Sequence, residues 1–195
     1  MYVTEHFRRI VRSFMDRRQR KTRELIFNAF TELLSEKEYE KITVGEIIQK
    51  ADVGRATFYA HFETKDFLLK ELCAELFCHI FDAKTNTQHR HIFNCNAPDS
   101  VFLHLFTHIY KNDNNILRFF TSPNNELFLR YFRGNLKELA KSNLPLFEEK
   151  RNEKLPYDFW VNHICSVFLE TALWWMDNGM KESPETVTEY FLLAI

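Results

Sequence analysis

The chain has 195 residues, 45% of them apolar, 27% charged and 15% aromatic, with only 4 Gly and 5 Pro and a net charge of -1. Enough apolar mass is present for a packed core, which excludes global disorder, and so few turn-forming residues argue against a β-sandwich or barrel and for long helices. The near-zero net charge hides an uneven distribution: residues 1–23 carry eight basic and two acidic groups, the rest 18 basic and 25 acidic, so one end suits a polyanion.

Four cysteines, Cys73, Cys78, Cys95 and Cys165, show neither CxxC pairs nor framework spacing and read as reduced thiols of a cytoplasmic protein. No secretory leader or bilayer-length apolar run is found, so no membrane partner is expected.

The first predicted helix spans 22–35, where Leu25, Ile26, Ala29, Phe30, Leu33 and Leu34 recur at helical spacing. After a polar break, Thr43 lies three residues before Glu46, the spacing of a capping box, and opens a short helix whose inner face is Val44, Ile47, Ile48 and Ala51. Asp52, tolerant of left-handed backbone, and Gly54 end it in a turn of about four residues. The next helix, RATFYAHF, sets Phe58 and Phe62 on one face and leaves Arg55, Ala56, Thr57, Tyr59 and His61 on the others. Thr64 caps a long helix running to about residue 83 through Phe67, Leu68, Leu72, Leu76, Phe77, Ile80 and Phe81. This is the plan of a helix-turn-helix domain, with the third helix free to enter a major groove; an ordinary surface helix in an all-α bundle has the same pattern.

The run ITVGEIIQKADVGRATFYAHFETKDFLL, residues 42–69 with its TFYxHF string and following Lys65, resembles the DNA-binding domain of the TetR family of bacterial transcriptional regulators. The resemblance implies an all-α protein of about nine helices: a basic extension over 1–18, a helix-turn-helix domain over 19–65, and a helical ligand-binding and dimerisation domain over 66–195. It also implies Arg55, Ala56 and Tyr59 as groove readers, with Thr43, Thr57, His61 and Lys65 on phosphates. The chemistry suits these roles: Arg forks onto guanine O6 and N7, Ala meets a thymine methyl, and helix starts attract anions. Gly45 stands where many relatives have an arginine, which shifts base reading onto Arg55 and Tyr59. Asp52 replaces a common glycine and adds negative charge near the duplex.

In the basic stretch, Arg20, Lys21 and Arg23 are best placed for phosphates. Phe7, Ile10, Val11 and Phe14 fall at helical spacing, so a packed extension competes with a DNA-binding arm.

Further helices are predicted over 99–111, 113–121, 124–142, 157–178 and 184–194, with DNG and SPE marking the last break. The helix over 157–178 is apolar on two faces, so either it is central or it is shared with a second subunit. Its tail, WWMDNGMKESPETVTEYF, resembles the ending of one branch of the same family, which implies a homodimer through the last two helices. Trp160, Ile164, Phe168, Leu169, Leu173, Met176, Val187 and Phe191 are the expected interface. Dimerisation also suits a palindromic operator on double-stranded DNA.

The resemblance further implies a small-molecule effector among the central helices, and Phe102, Phe106, His108, Phe119, Phe128, Tyr131, Phe132 and Phe168 are the expected lining, although aromatics at this spacing also make plain core. His104 and His108, four apart, have the spacing to share a divalent ion, and His89, His91 and Cys95 lie close in sequence. A site needs further ligands that the sequence does not supply, so no metal and no cofactor are expected. No GxSxG, HExxH, GxGxxG or P-loop string occurs, which argues against an enzyme. The expected function is a dimeric repressor released by an effector. The alternative is a ligand-independent DNA-binding protein or activator that works through a protein partner.

Overall fold

A computed structural model describes residues 17–85, 100–112, 115–122 and 125–195. Among the described residues, nine α-helices and two 3-10 helices make up the regular structure and no strand occurs. The N-terminal unit holds α1 (Arg17–Glu36), a 3-10 turn (Tyr39–Lys41), α2 (Val44–Ala51) and α3 (Arg55–His61). The long α4 (Lys65–Thr85) leads to α5 (Val101–Lys111), α6 (Ile116–Thr121), α7 (Glu126–Ser142), a 3-10 segment (Leu144–Lys150), α8 (Tyr157–Asp177) and α9 (Pro184–Ala194). No described helix is long and apolar enough to cross a membrane.

Local chemistry explains the breaks. Ser100 Oγ accepts from the Leu103 N–H to start α5, and Asn112 ends it in left-handed backbone at φ 53°. After α8, Gly179 takes φ +74°. The Gly179 and Met180 N–H groups then donate to the Met176 and Trp175 carbonyls at 3.0 and 2.8 Å, a Schellman closure. Ser183 caps α9 with Pro184 at its first turn, as the SPE string predicts.

α1 begins five residues before its predicted start and takes in Arg17 to Lys21. Its buried face is also turned from the predicted one. Phe27 is buried and meets Phe62 edge-on at 5.3 Å, whereas Leu25, assigned to the core, is exposed.

One apolar core runs through both halves. α4 packs on α7 and α5, α7 on α8, and α9 on both α5 and α8. Interlocked rings fill the C-terminal half. Phe106 stacks on Phe168 at 4.4 Å, Phe102 meets Phe191 at 5.0 Å, and Phe132 meets Phe77 and Phe120 at 5.1 and 5.0 Å. Phe119 stacks on Phe128 at 4.9 Å. Each such pair contributes about 0.5–1.5 kcal/mol beyond burial itself. The residues expected to line a ligand pocket are thus in contact with one another; Tyr131 alone among them is only half-buried, and His108 faces His104.

The expected dimer interface needs correction. Trp160, Ile164, Phe168, Leu169, Val187 and Phe191 are buried within the chain's own core and have almost no surface to offer a partner; Leu173 and Met176 are half-buried. The face of α8 and α9 that stays outside carries Phe159, Trp174, Tyr190 and Leu193, with Leu193 79% exposed and the Trp174 and Tyr190 rings 6.0 Å apart. A helix apolar on two sides shows this choice only when its neighbours are in place.

The N-terminal extension, with Phe7, Ile10, Val11 and Phe14, and the loop with His89, His91 and Cys95 lie outside the described residues. Cys73, Cys78 and Cys165 are buried free thiols. Burial pushes Cys73 up and Cys165 to about 11.

Candidate nucleic-acid interface

α2, its turn and α3 are fixed by a few contacts. Thr43 Oγ1 accepts from the Glu46 N–H, and Glu46 Oε2 accepts from the Thr43 N–H at 2.9 Å, so the capping box read from the spacing is formed. Lys37 donates to the same carboxylate, and these bonds hold Glu46 at about 2, well below the ordinary carboxylate value. α2 stops at Asp52, whose φ of 51° and ψ of 49° are the left-handed conformation expected for it. Gly54 then caps α3 in extended backbone.

α3 is pinned from beneath. Phe58 and Phe62 are fully buried, their rings 5.9 Å apart, and each such side chain stabilises the fold by about 1.5–3 kcal/mol. The opposite surface is open: Arg55, Ala56, Thr57 and Tyr59 are exposed, and His61 is half-buried. Tyr59 is 46% exposed and rests edge-on against Phe58 at 5.5 Å, which limits the paths its ring can take. Burial, and then Arg23, pull the His61 pKa down, so its imidazole is a neutral donor rather than a cation at pH 7.

Among the described residues Arg55 forms no ion pair, while most cations near it are already engaged. Lys37 pairs with Glu46, Lys41 with Glu38, and Lys50 with Glu36 and Glu32. Thr43 and Gly45 are exposed at the start of α2. A Cβ built on Gly45 would meet only Thr43 Oγ1 at 3.8 Å, so the backbone does not require glycine there; its effect is the missing long side chain. Arg20 and Lys21 are exposed on α1, Arg20 in a loose 3.8 Å pair with Glu24.

Two expected DNA contacts turn inward. Arg23 bonds Glu71 at 3.0 Å and lies over the Phe62 and Phe27 rings at 4.8 and 5.3 Å, so it ties α1 to α4 across the site. The Lys65 ammonium donates to the Tyr39 and Ile42 carbonyls at 2.8 and 2.9 Å and sits 4.1 Å from the centre of the Tyr39 ring. Lys65 therefore fastens the start of α4 to the turn before α2, with at most one N–H left for a phosphate. Tyr39, unmarked in the sequence, also donates to Asp66 and touches Phe30 and Phe119. Its only sequence signal was an aromatic inside a charged break.

The same region joins the two halves. The Asn115 side chain donates to the Thr31 carbonyl at 2.6 Å, and Phe119 of α6 packs on Phe30 of α1 at 6.3 Å. A groove of about 270 Å³ between them is lined by Leu34, Tyr39, Phe119 and Ser122.

Comparison with known proteins gives a consistent result. The family described as "Bacterial regulatory proteins, tetR family" matches residues 26–72, and "Transcriptional regulator C-terminal region" matches residues 96–195. The crystal structure of a TetR transcriptional regulator from Streptococcus agalactiae 2603V is 35% identical, with a TM-score of 0.70, covering 91% of this chain and 95% of that one. The regulator FadR from Bacillus subtilis, solved in complex with stearoyl-CoA, shares the fold at 19% identity and a TM-score of 0.52, covering 88% of this chain and 98% of that one. Among curated proteins, the HTH-type transcriptional regulator YxbF of Bacillus subtilis (strain 168) is 41% identical over 71 residues, 34% of this chain. The match spans only 19% of YxbF, and 30% of a second such regulator, YvdT, at 34% identity.

Proposed function

Since the chain belongs to the TetR family and is a DNA-binding transcriptional regulator, we propose that two copies grip a palindromic operator with paired α3 helices and repress transcription until a small-molecule effector releases them. The observation that carries this reading is the two-sided character of α3: Phe58 and Phe62 are anchored at zero exposure while Arg55, Ala56 and Tyr59 point away from the core. Arg55 forks onto a guanine edge, Ala56 meets a thymine methyl, and Tyr59 offers a braced ring and hydroxyl. Thr43, Thr57 and His61 donate to phosphates, joined by the free N–H groups at the start of α4 and by Arg20 and Lys21 on α1.

In this reading residues 19–65 are the DNA-binding unit, residues 66–195 the regulatory and dimerising unit, and residues 1–18 a basic extension. The second copy covers the outer face of α8 and α9 at Phe159, Trp174, Tyr190 and Leu193. Covering such apolar side chains supports a lasting interface, and it places two α3 helices on one face of the duplex. An effector acts by shifting α4, which is tied to α1 through Arg23 and Glu71, and so changes the spacing of the α3 pair.

A second reading, a regulator that senses no small molecule and acts through a protein partner, is favoured by the mutual contact of the central Phe rings.

The test is anisotropy on a duplex from the gene's own upstream region against a scrambled duplex. Arg55→Ala and Tyr59→Ala are each expected to weaken specific binding by about 1–3 kcal/mol with little change on the scrambled duplex. Equal losses on both would remove these residues from base reading.

A further inference from the structure

His104 and His108 occupy successive turns of α5, and α4 brings His79 against both. The two Nε2 atoms of α5 are 3.1 Å apart, and the His79 ring centre is 5.0 Å from each of the other two. One ring nitrogen from each residue falls within 4.8 Å of the others. All three are buried, at 8, 1 and 0% exposure for His79, His104 and His108. Three imidazoles from two helices converge here inside an apolar core, and no part of the DNA-binding reading uses them.

We propose that His79, His104 and His108 bind a divalent first-row transition metal ion, Zn²⁺ foremost, which clamps α4 to α5. Imidazole nitrogen suits Zn²⁺, Ni²⁺ and Cu²⁺, and carboxylate-preferring Mg²⁺ and Ca²⁺ are excluded by the donor set. Tetrahedral Zn²⁺ with N ligands at about 2.0–2.1 Å requires N···N separations near 3.4 Å. The α5 pair is already there, and the widest separation closes by about 1.4 Å, within reach of ring rotation. Three neutral nitrogens leave a fourth position for water or an anion. Burial, then the neighbouring His108 and Lys111, lower His104 to about 4, so it is in its ligating, unprotonated form at neutral pH. The ion would join the helix that starts at the end of the DNA-reading unit to the first helix of the C-terminal bundle. The site does not depend on the repressor reading, and its test reads no DNA.

Full-length protein stripped with chelator is titrated with Co²⁺. One equivalent is expected to produce visible d–d absorption of a nitrogen-ligated ion that Zn²⁺ abolishes, and Zn²⁺ but not Mg²⁺ is expected to raise Tm. Outer-shell partners of a metal cost about 10–100-fold in affinity when removed, so His79→Gln, His104→Gln and His108→Gln should each cost more than about 100-fold, while His163→Gln changes nothing. Should a variant fail to fold by circular dichroism, imidazole ¹⁵N spectra of the unmutated protein decide: Zn²⁺ should shift these three of the 8 histidines. No uptake, unchanged affinity in folded variants, or shifts confined to other histidines would overturn the proposal and leave a hydrogen-bonded histidine cluster.

Discussion

Replacing Lys65 by Met separates a fastening role from a DNA-contact role. The change keeps the aliphatic stem and removes the ammonium, whose bonds to the Tyr39 and Ile42 carbonyls measure 2.8 and 2.9 Å, together with its contact on the Tyr39 ring. A bond from a charged donor is worth about 1.5–3 kcal/mol and an exposed cation–π contact about 0.5–1 kcal/mol. Lys65 is only half-buried, so water replaces part of what is lost. Burial also lowers its pKa, which shows that the site opposes the charge to some degree. The expected net loss is about 2 kcal/mol, or about 4–8 °C in Tm for a chain of this size. Urea denaturation gives the first number. The second assay is the salt dependence of binding to any duplex, where each neutralised phosphate contributes about 0.9 to the slope. The slope should stay unchanged for Lys65→Met in buffer where the variant is folded, and should fall for Arg55→Gln. Unchanged stability with a slope lowered by about 1.8 per dimer would refute the fastening role and restore Lys65 to the phosphate contacts.

Three further outcomes follow from the geometry. Trp174→Glu places a charge on the outer face of α8 and should convert a dimer to monomers in analytical ultracentrifugation with the helical spectrum retained, whereas an unchanged dimer would move the interface elsewhere. Gly179→Ala puts a Cβ at φ +74° with no neighbour within 4 Å, so it should cost about 1 kcal/mol in chemical denaturation through backbone strain alone. The folded-state pKa of Glu46 is depressed to about 2 from 4.5, so its contribution is complete above pH 4.5 and is lost as pH falls toward 2. Urea midpoints of Glu46→Gln and the parent protein should therefore converge over that window.

Which features were legible depended on how local their causes are. The Thr43 box, the Asp52 turn and the Ser183–Pro184 start each depend on a few consecutive residues, and all three formed. The first turn of α1 was not visible because Arg17 to Lys21 contain no apolar residue and give a periodicity argument nothing to count. The 3-10 segment Leu144–Lys150 likewise has no helical period of its own, and only Phe147 is buried. The outward face of α3 followed from the spacing of Phe58 and Phe62. The inward turn of Arg23 and Lys65 did not, because their partners Glu71, Tyr39 and Ile42 lie 48, 26 and 23 residues away. The same holds for α8, where two apolar stripes were read correctly but own core and outer face were exchanged. His79 joins the α5 pair only once α4 and α5 are packed, which no local spacing reveals.

Enrichment of bound sequences from a random duplex pool with the purified full-length protein tests the central claim most directly. The account predicts one two-fold symmetric motif, with half-sites on one face of the duplex, whose base preferences relax in the Arg55→Ala and Tyr59→Ala proteins. Recovery of unselected sequence, or of a motif indifferent to both substitutions, would contradict it.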